Sequence, residues 1–148
     1  MINHQTAQYF KIQELVPESI YKLRGEKAWQ LIDERLIANL DCIKEQLETI
    51  YNRKIPITVN DWLWGGNRVA SGLRVPGQKE YSETSQHKLG KAVDFKCEIP
   101  AHDIRNLIRH GSIILPYPAC FEEFNGMSWV HMDVRNFVNG QVYFFKIK

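Results

Sequence analysis

The sequence predicts an α+β protein: an antiparallel sheet packed against N-terminal helices. Apolar residues recur at helical spacing through the first third of the chain, up to Tyr51. After Ile55 the pattern changes to short apolar runs bounded by Gly, Pro and Asn, with one helical run, Ala101 to His110, set among them. Helices first and strands afterwards is the order of an α+β chain. The 148 residues suit a single domain, with residues 1–55 as its helical part and 56–148 as its sheet part.

Taken in order, Phe10 to Pro17 reads as a lead-in segment that docks on the domain. Arg24-Gly25-Glu26-Lys27 separates it from a helical stretch in which Ala28, Leu31 and Ile32 share a face. Asp33 is placed to cap the next helix. There Leu36, Leu40, Ile43, Leu47 and Ile50 form an apolar stripe, and Glu34, Lys44, Glu45 and Glu48 a solvated face. Ile55 to Asn60 reads as a strand, with Pro56 near its start, where a missing N–H is tolerated. Asp61 to Gly66 and Val75 to Thr84 read as loops, the second of the kind that shapes sites.

Ala92-Val93-Asp94-Phe95 begins a buried strand. The helix over 101–110 has Pro100 at its first turn, Ile104, Leu107 and Ile108 on its buried face, and Gly111 to end it. Phe121 to Asp133 reads as a hairpin turning at Asn125-Gly126, the strongest two-residue hairpin signal. Asn139-Gly140 suggests another, closed by Val142 to Ile147.

Composition narrows the function classes. Net charge is +2, too small to argue for nucleic acid. Cys42, Cys97 and Cys120 are widely spaced and form no C-x-x-C pair, so neither a disulfide framework nor a thiolate metal site is expected. Met1 to Thr6 is polar and lacks the apolar core of a secretory signal, and no run approaches a membrane span. The expectation is a chain made in the cytoplasm without a signal peptide, with no membrane partner.

Two segments carry the chemistry. Ser85-Gln86-His87-Lys88-Leu89-Gly90-Lys91-Ala92-Val93-Asp94 and Trp129-Val130-His131 together offer two imidazoles and a carboxylate. That is the kind of three-group set that holds a hydrolytic zinc ion and leaves a fourth position for water. His87 lies in a loop, Gly90 allows a tight turn, and Asp94 falls on the strand that follows. His4, His102 and His110 stand outside any such pattern and read as ordinary surface or core histidines.

Ser85-x-His87-x-x-Gly90-x-Ala92-x-Asp94 resembles the S-x-H-x-x-G-x-A-x-D signature of zinc D-Ala-D-Ala carboxypeptidases and their relatives, the phage L-alanyl-D-glutamate endolysins. Trp129-Val130-His131 resembles the family's W-x-H strand, and Ser71-Gly72-Leu73-Arg74 its upstream S-G-x-R. The three pieces come in the family's order and cover residues 56 to 135. The resemblance implies a hedgehog/DD-peptidase-like fold, zinc as cofactor, and His87, Asp94 and His131 as its ligands. It implies a metallopeptidase acting on peptidoglycan stem peptides. Without a signal peptide such an enzyme reaches the cell wall by release from the cell or on a phage particle, where phage proteins would be partners.

A zinc peptidase needs a group that takes a proton from water and returns it to the leaving amine. Many members of the family carry glutamate three residues before the last histidine; here that position is Ser128. With a two-residue turn at Asn125-Gly126, Glu123 faces Ser128 and Glu122 faces Trp129. Glu123 is the favoured base on that pairing, while strict alternation along the strand puts Glu122 on the face of His131. Arg74 is the expected clamp for a substrate carboxylate or oxyanion. Arg68, Trp64 and Trp129 are candidates for the cleft wall, and Asp133 for orienting an imidazole. Two further readings stand beside the peptidase. One is a catalytically silent structural or wall-binding module, favoured by Ser128. The other is an Fe(II) oxygenase, whose metal can be held by the same ligand types.

Overall fold

The computed structural model of the chain describes residues 6–135 and 142–146. Strand β3 (Val130–Asp133), buried along its whole length, is the strand on which the sheet is laid. Strand β1 (Ala92–Phe95) pairs with one edge of β3 and β2 (Ala119–Glu122) with the other, both antiparallel. Strand β4 (Val142–Phe145) adds to the far side of β2 in parallel, giving the order β1-β3-β2-β4.

The protein is therefore α+β, but its sheet is mixed, not antiparallel as the sequence suggests. Strand β4 follows β3 in sequence yet cannot pair with it, because β1 and β2 already occupy both edges of β3. Asn139, Gly140 and Ile147, part of the expected second hairpin, lie outside the described residues.

The 121–133 hairpin also departs from expectation. Its register sets Glu122 opposite His131 and Cys120 opposite Asp133, and residues 123–129 form a loop between the strands. Asn125-Gly126 does make a turn, in which the Met127 N–H donates to the Phe124 carbonyl and Gly126 takes φ 83°. It does not become a two-residue hairpin loop because the flanking backbone groups are already bonded. The Glu123 N–H donates to Phe145 of β4, and the Met127 and Trp129 carbonyls accept from the Arg105 guanidinium.

Helix α1 is Glu18–Arg24 and helix α2 is Glu34–Tyr51, with Asp33 accepting from the Arg35 N–H at 2.9 Å as its cap. Leu36, Leu40, Ile43 and Leu47 are buried on α2 as the periodicity requires, whereas Ile50 in its last turn stays 42 % exposed. Gly25–Leu31 forms 3-10 turns instead of the expected α-helical face. Ile55 to Asn60 forms no strand and, among the described residues, contributes a single bridge, Thr58 to Lys96. Pro56 has no N–H to give, and the Asn60 and Asp61 N–H groups donate to Glu14 and Arg68 instead of a strand. Helix α3 (Ala101–Arg109) buries Ile104 and Ile108, and with them Arg105.

Pleating sends alternate strand residues to opposite faces. Val93, Met132, Phe121 and Phe144 align across the four strands and join the hydrophobic core that includes α2. Asp94, His131, Glu122 and Phe145 form the adjacent row, on the other face. The loops beside that row are moored to the helical part by backbone bonds: Leu73 N–H to Leu15 at 2.8 Å, and Asp33 N–H to Gly90 at 2.9 Å. The approach is close enough that a Cβ on Gly72 would overlap the Leu15 carbonyl oxygen, and one on Gly90 that of Leu31.

Candidate metal centre

His87 sits in a single 3-10 turn, Gln86–Leu89, whose first N–H groups would otherwise be unpaired. The Ser85 hydroxyl accepts from the His87 N–H at 3.1 Å and Gly90, at φ 68°, closes the turn. The imidazole is 3 % exposed, and its Nδ1 lies 2.8 Å from the Gly72 carbonyl. A carbonyl can only accept, so Nδ1 carries the proton and the Nε2 lone pair faces Asp94 Oδ1, 3.5 Å away.

Asp94 and His131 are cross-strand partners on β1 and β3. His131 Nδ1 lies 2.9 Å from Asp94 Oδ1, and its Nε2 2.8 Å from Asp133 Oδ2. Asp133 is fully buried, two residues along the same face, and Arg135 grips both its oxygens at 2.7 Å. Arg74 performs the matching task on Asp94: Nη2 donates to Oδ2 at 3.0 Å while Nε is anchored on the Ala70 carbonyl at 2.6 Å. Each carboxylate thus has one arginine behind it and an imidazole in front.

Electrostatics follow from this arrangement. Burial would push the Asp94 carboxyl up, but the hydrogen bond from His131 and the neighbouring His87 imidazole outweigh it and hold the group well below the usual carboxylate range. Burial would lower the His131 pKa; the bonds to Asp133 and Asp94 reverse that and raise it above its ordinary value. If the His131 Nε2 proton points at Asp133, its Nδ1 lone pair faces an anionic oxygen. A cation between them, proton or metal ion, removes that repulsion.

The donor set fits a metal ion. One ligand atom from each of His87, Asp94 and His131 lies within 4.8 Å of the others. Tetrahedral zinc with bonds of ~2.0–2.1 Å sets its donors roughly 3.3 Å apart, so the side chains need only small adjustments. The group is buried, its lone pairs converge, and the far atoms of all three side chains are pinned by Gly72, Arg74 and Asp133.

The cluster opens on a cavity of about 400 Å³ whose wall includes Glu122, Trp129, Arg135 and Phe145. Glu122, opposite His131, is the carboxylate at this wall. Glu123, favoured from the sequence, is not: it turns to the other side, where it pairs with Arg105 and Arg109. The reason is the pleat: Glu122 shares the face of His131, so its neighbour Glu123 takes the opposite one. Ser128 is exposed on the loop. Arg74 lines the cavity, but its fork is turned onto Asp94 and Ala70 and is not presented as a free clamp. Trp129 lines the cavity as expected, whereas Trp64 lies in a separate groove with Tyr9 and Lys54, and Arg68 Nε bonds the Val59 carbonyl. Sequence reasoning missed Arg135, although an Asp-x-Arg spacing on a strand puts both side chains on one face.

The fold and site define an α+β protein with a buried two-histidine, one-aspartate group able to hold a metal ion. Comparison with protein-family models, curated proteins and solved structures finds no match in any of the three. No helix among the described residues is long and apolar enough to cross a membrane.

Proposed function

We propose that the protein is a zinc-dependent peptidase of bacterial peptidoglycan stem peptides, with the hedgehog/DD-peptidase-like fold that its motifs imply. The observation that carries this reading is the convergence of His87 Nε2, Asp94 Oδ1 and His131 Nδ1 beside a cavity that also presents the Glu122 carboxylate. His87, Asp94 and His131 would hold the ion, and zinc there supplies an acidified water and a Lewis acid for a peptide carbonyl. Glu122 accepts the proton of the attacking water and delivers it to the amine nitrogen as the peptide bond breaks. Arg74 holds Asp94 in its ligating orientation and adds positive charge at the cavity edge. Trp129 and Phe145 give the peptide an apolar wall. The cavity, at about 400 Å³, has the size of a short-peptide site. The enzyme would meet its substrate at the cell wall, after release from the cell or as part of a phage particle.

Ser128 favours a second reading, a silent wall-binding or particle component that keeps the metal. One experiment separates the two. The purified protein is assayed for bound metal and incubated with cell walls of several chemotypes, and the released fragments are weighed. The peptidase reading expects about one zinc per chain and fragments produced by hydrolysis of one type of peptide bond. Zinc with no released fragment from any wall would establish the silent module. Iron in place of zinc would direct attention to oxygenase chemistry.

A further inference from the structure

A second cavity lies on the other side of the 123–129 loop, between that loop and α3. Its volume is about 630 Å³, and its lining includes Arg105, Arg109, Lys146, Glu123, Phe124 and Met127. Three permanent cations face a single carboxylate there, a surplus that favours an added anion.

Arg105 is the unusual member. It is 4 % exposed, and among the described residues its Nε finds no hydrogen-bond partner. The remaining guanidinium nitrogens are spent on the Trp129 and Met127 carbonyls, at 2.8 and 3.1 Å. Glu123 Oε2 stands 3.7 Å from Nε, too far for a hydrogen bond, because Arg109 draws the carboxylate by its other oxygen. A buried guanidinium N–H without an acceptor costs free energy. Glu123 therefore occupies a cradle that it does not fill.

We propose that this cavity is a binding site for the carboxylate of an acidic peptide, which takes the place of Glu123 between Arg105 and Arg109. The class of ligand follows from what is seated there. A carboxylate has two oxygens, one for Arg105 Nε and one for Arg109, and Phe124 and Met127 provide apolar wall for the carbon atoms next to it. Glu123 then swings outward, and Lys146 supplies a third positive charge. The site does not rest on the peptidase reading, since none of these six residues lines the metal cavity.

The test is an NMR titration of the zinc-loaded full chain with the tripeptides Ala-Glu-Ala and Ala-Gln-Ala, both capped at their termini, and with inorganic phosphate. Shifts should centre on residues 105–109 and 123–127 and require the acidic peptide. Glu123→Gln removes the competing anion and should tighten binding about tenfold, the weight of one charge-assisted hydrogen bond. Arg109→Gln leaves the buried Arg105 contacts in place and should abolish binding. Equal affinity for the amide peptide or for phosphate would overturn the proposal. So would shifts confined to residues 85–94 and 131, which would mean the peptide only ligates the metal, or an unchanged affinity in Glu123→Gln.

Discussion

The His131 imidazole has a carboxylate at each nitrogen, Asp94 at Nδ1 and Asp133 at Nε2. With Asp133 fixed by Arg135 and Asp94 by Arg74, neither partner can turn away to water. Arg74→Lys tests this support. A lysine cannot hold Asp94 and the Ala70 carbonyl at once, so zinc affinity should fall by about 10–100-fold in competition with a chelator, while the fold persists. Unchanged affinity would free Arg74 for the clamp role expected from the sequence. The neighbouring glutamates separate by side. For the proposed peptidase, Glu122→Gln should lower the rate of wall cleavage by ~10²–10⁴-fold without loss of bound metal, and Glu123→Gln should cleave at close to the native rate. The opposite ranking would return the proton transfer to Glu123. The convergence of His87, Asp94 and His131 was legible because the first two share one short segment and the third has its own flanking pattern. Between Glu122 and Glu123, strict alternation was the better guide; pairing Glu123 with Ser128 presumed a tight turn, where the strands have another register.

At the scale of elements, that register is decided from far away. Arg105 on α3 takes the Met127 and Trp129 carbonyls, and β4 takes the Glu123 N–H, so the local Asn125-Gly126 signal yields only a turn. Periodicity announced α3 and its apolar residues, but a pattern of residue types cannot say that an arginine beside Ile104 will be buried to bond a loop. Helix α2 was legible from its stripe and cap, because both signals are local. Its cap also gives a pH dependence. Burial pushes the Asp33 carboxyl up, yet the Arg35 side chain and N–H outweigh burial and leave its pKa below the ordinary 3.8. A carboxyl with a lowered folded pKa contributes stability that is full above its unfolded value and lost as pH falls through the folded one. Asp33→Ala should cost about 1 kcal/mol at neutral pH, and in urea titrations the gap to wild type should narrow below about pH 4. A gap that widens in acid would contradict the assigned pairing.

The whole molecule ties its helical part to the loops beside the candidate metal site mainly backbone to backbone, with the Asn60 side chain bridging Val16 and Ser71. Gly72 lies against the Leu15 carbonyl and Gly90 against that of Leu31, with Asp33 bonded to the Gly90 carbonyl. None of the three candidate ligands comes from the first fifty positions, yet the backbone at Leu15, Leu31 and Asp33 abuts the loops beside His87. The consequence is kinetic. Docking of Leu15 and of residues 31–33 on Gly72 and Gly90 keeps the His87 turn from opening, so any ion release that needs His87 to move is timed by how often that segment lifts. The rate at which excess chelator strips the zinc should level off at one value, however much chelator is added, and should rise in a Gly90→Ala variant. A rate that keeps climbing in proportion to chelator would mean the ion is reached directly through the cavity. With a plateau, the residence time of a bound ion becomes a clock for motion in a part of the chain that supplies none of the three candidate ligands.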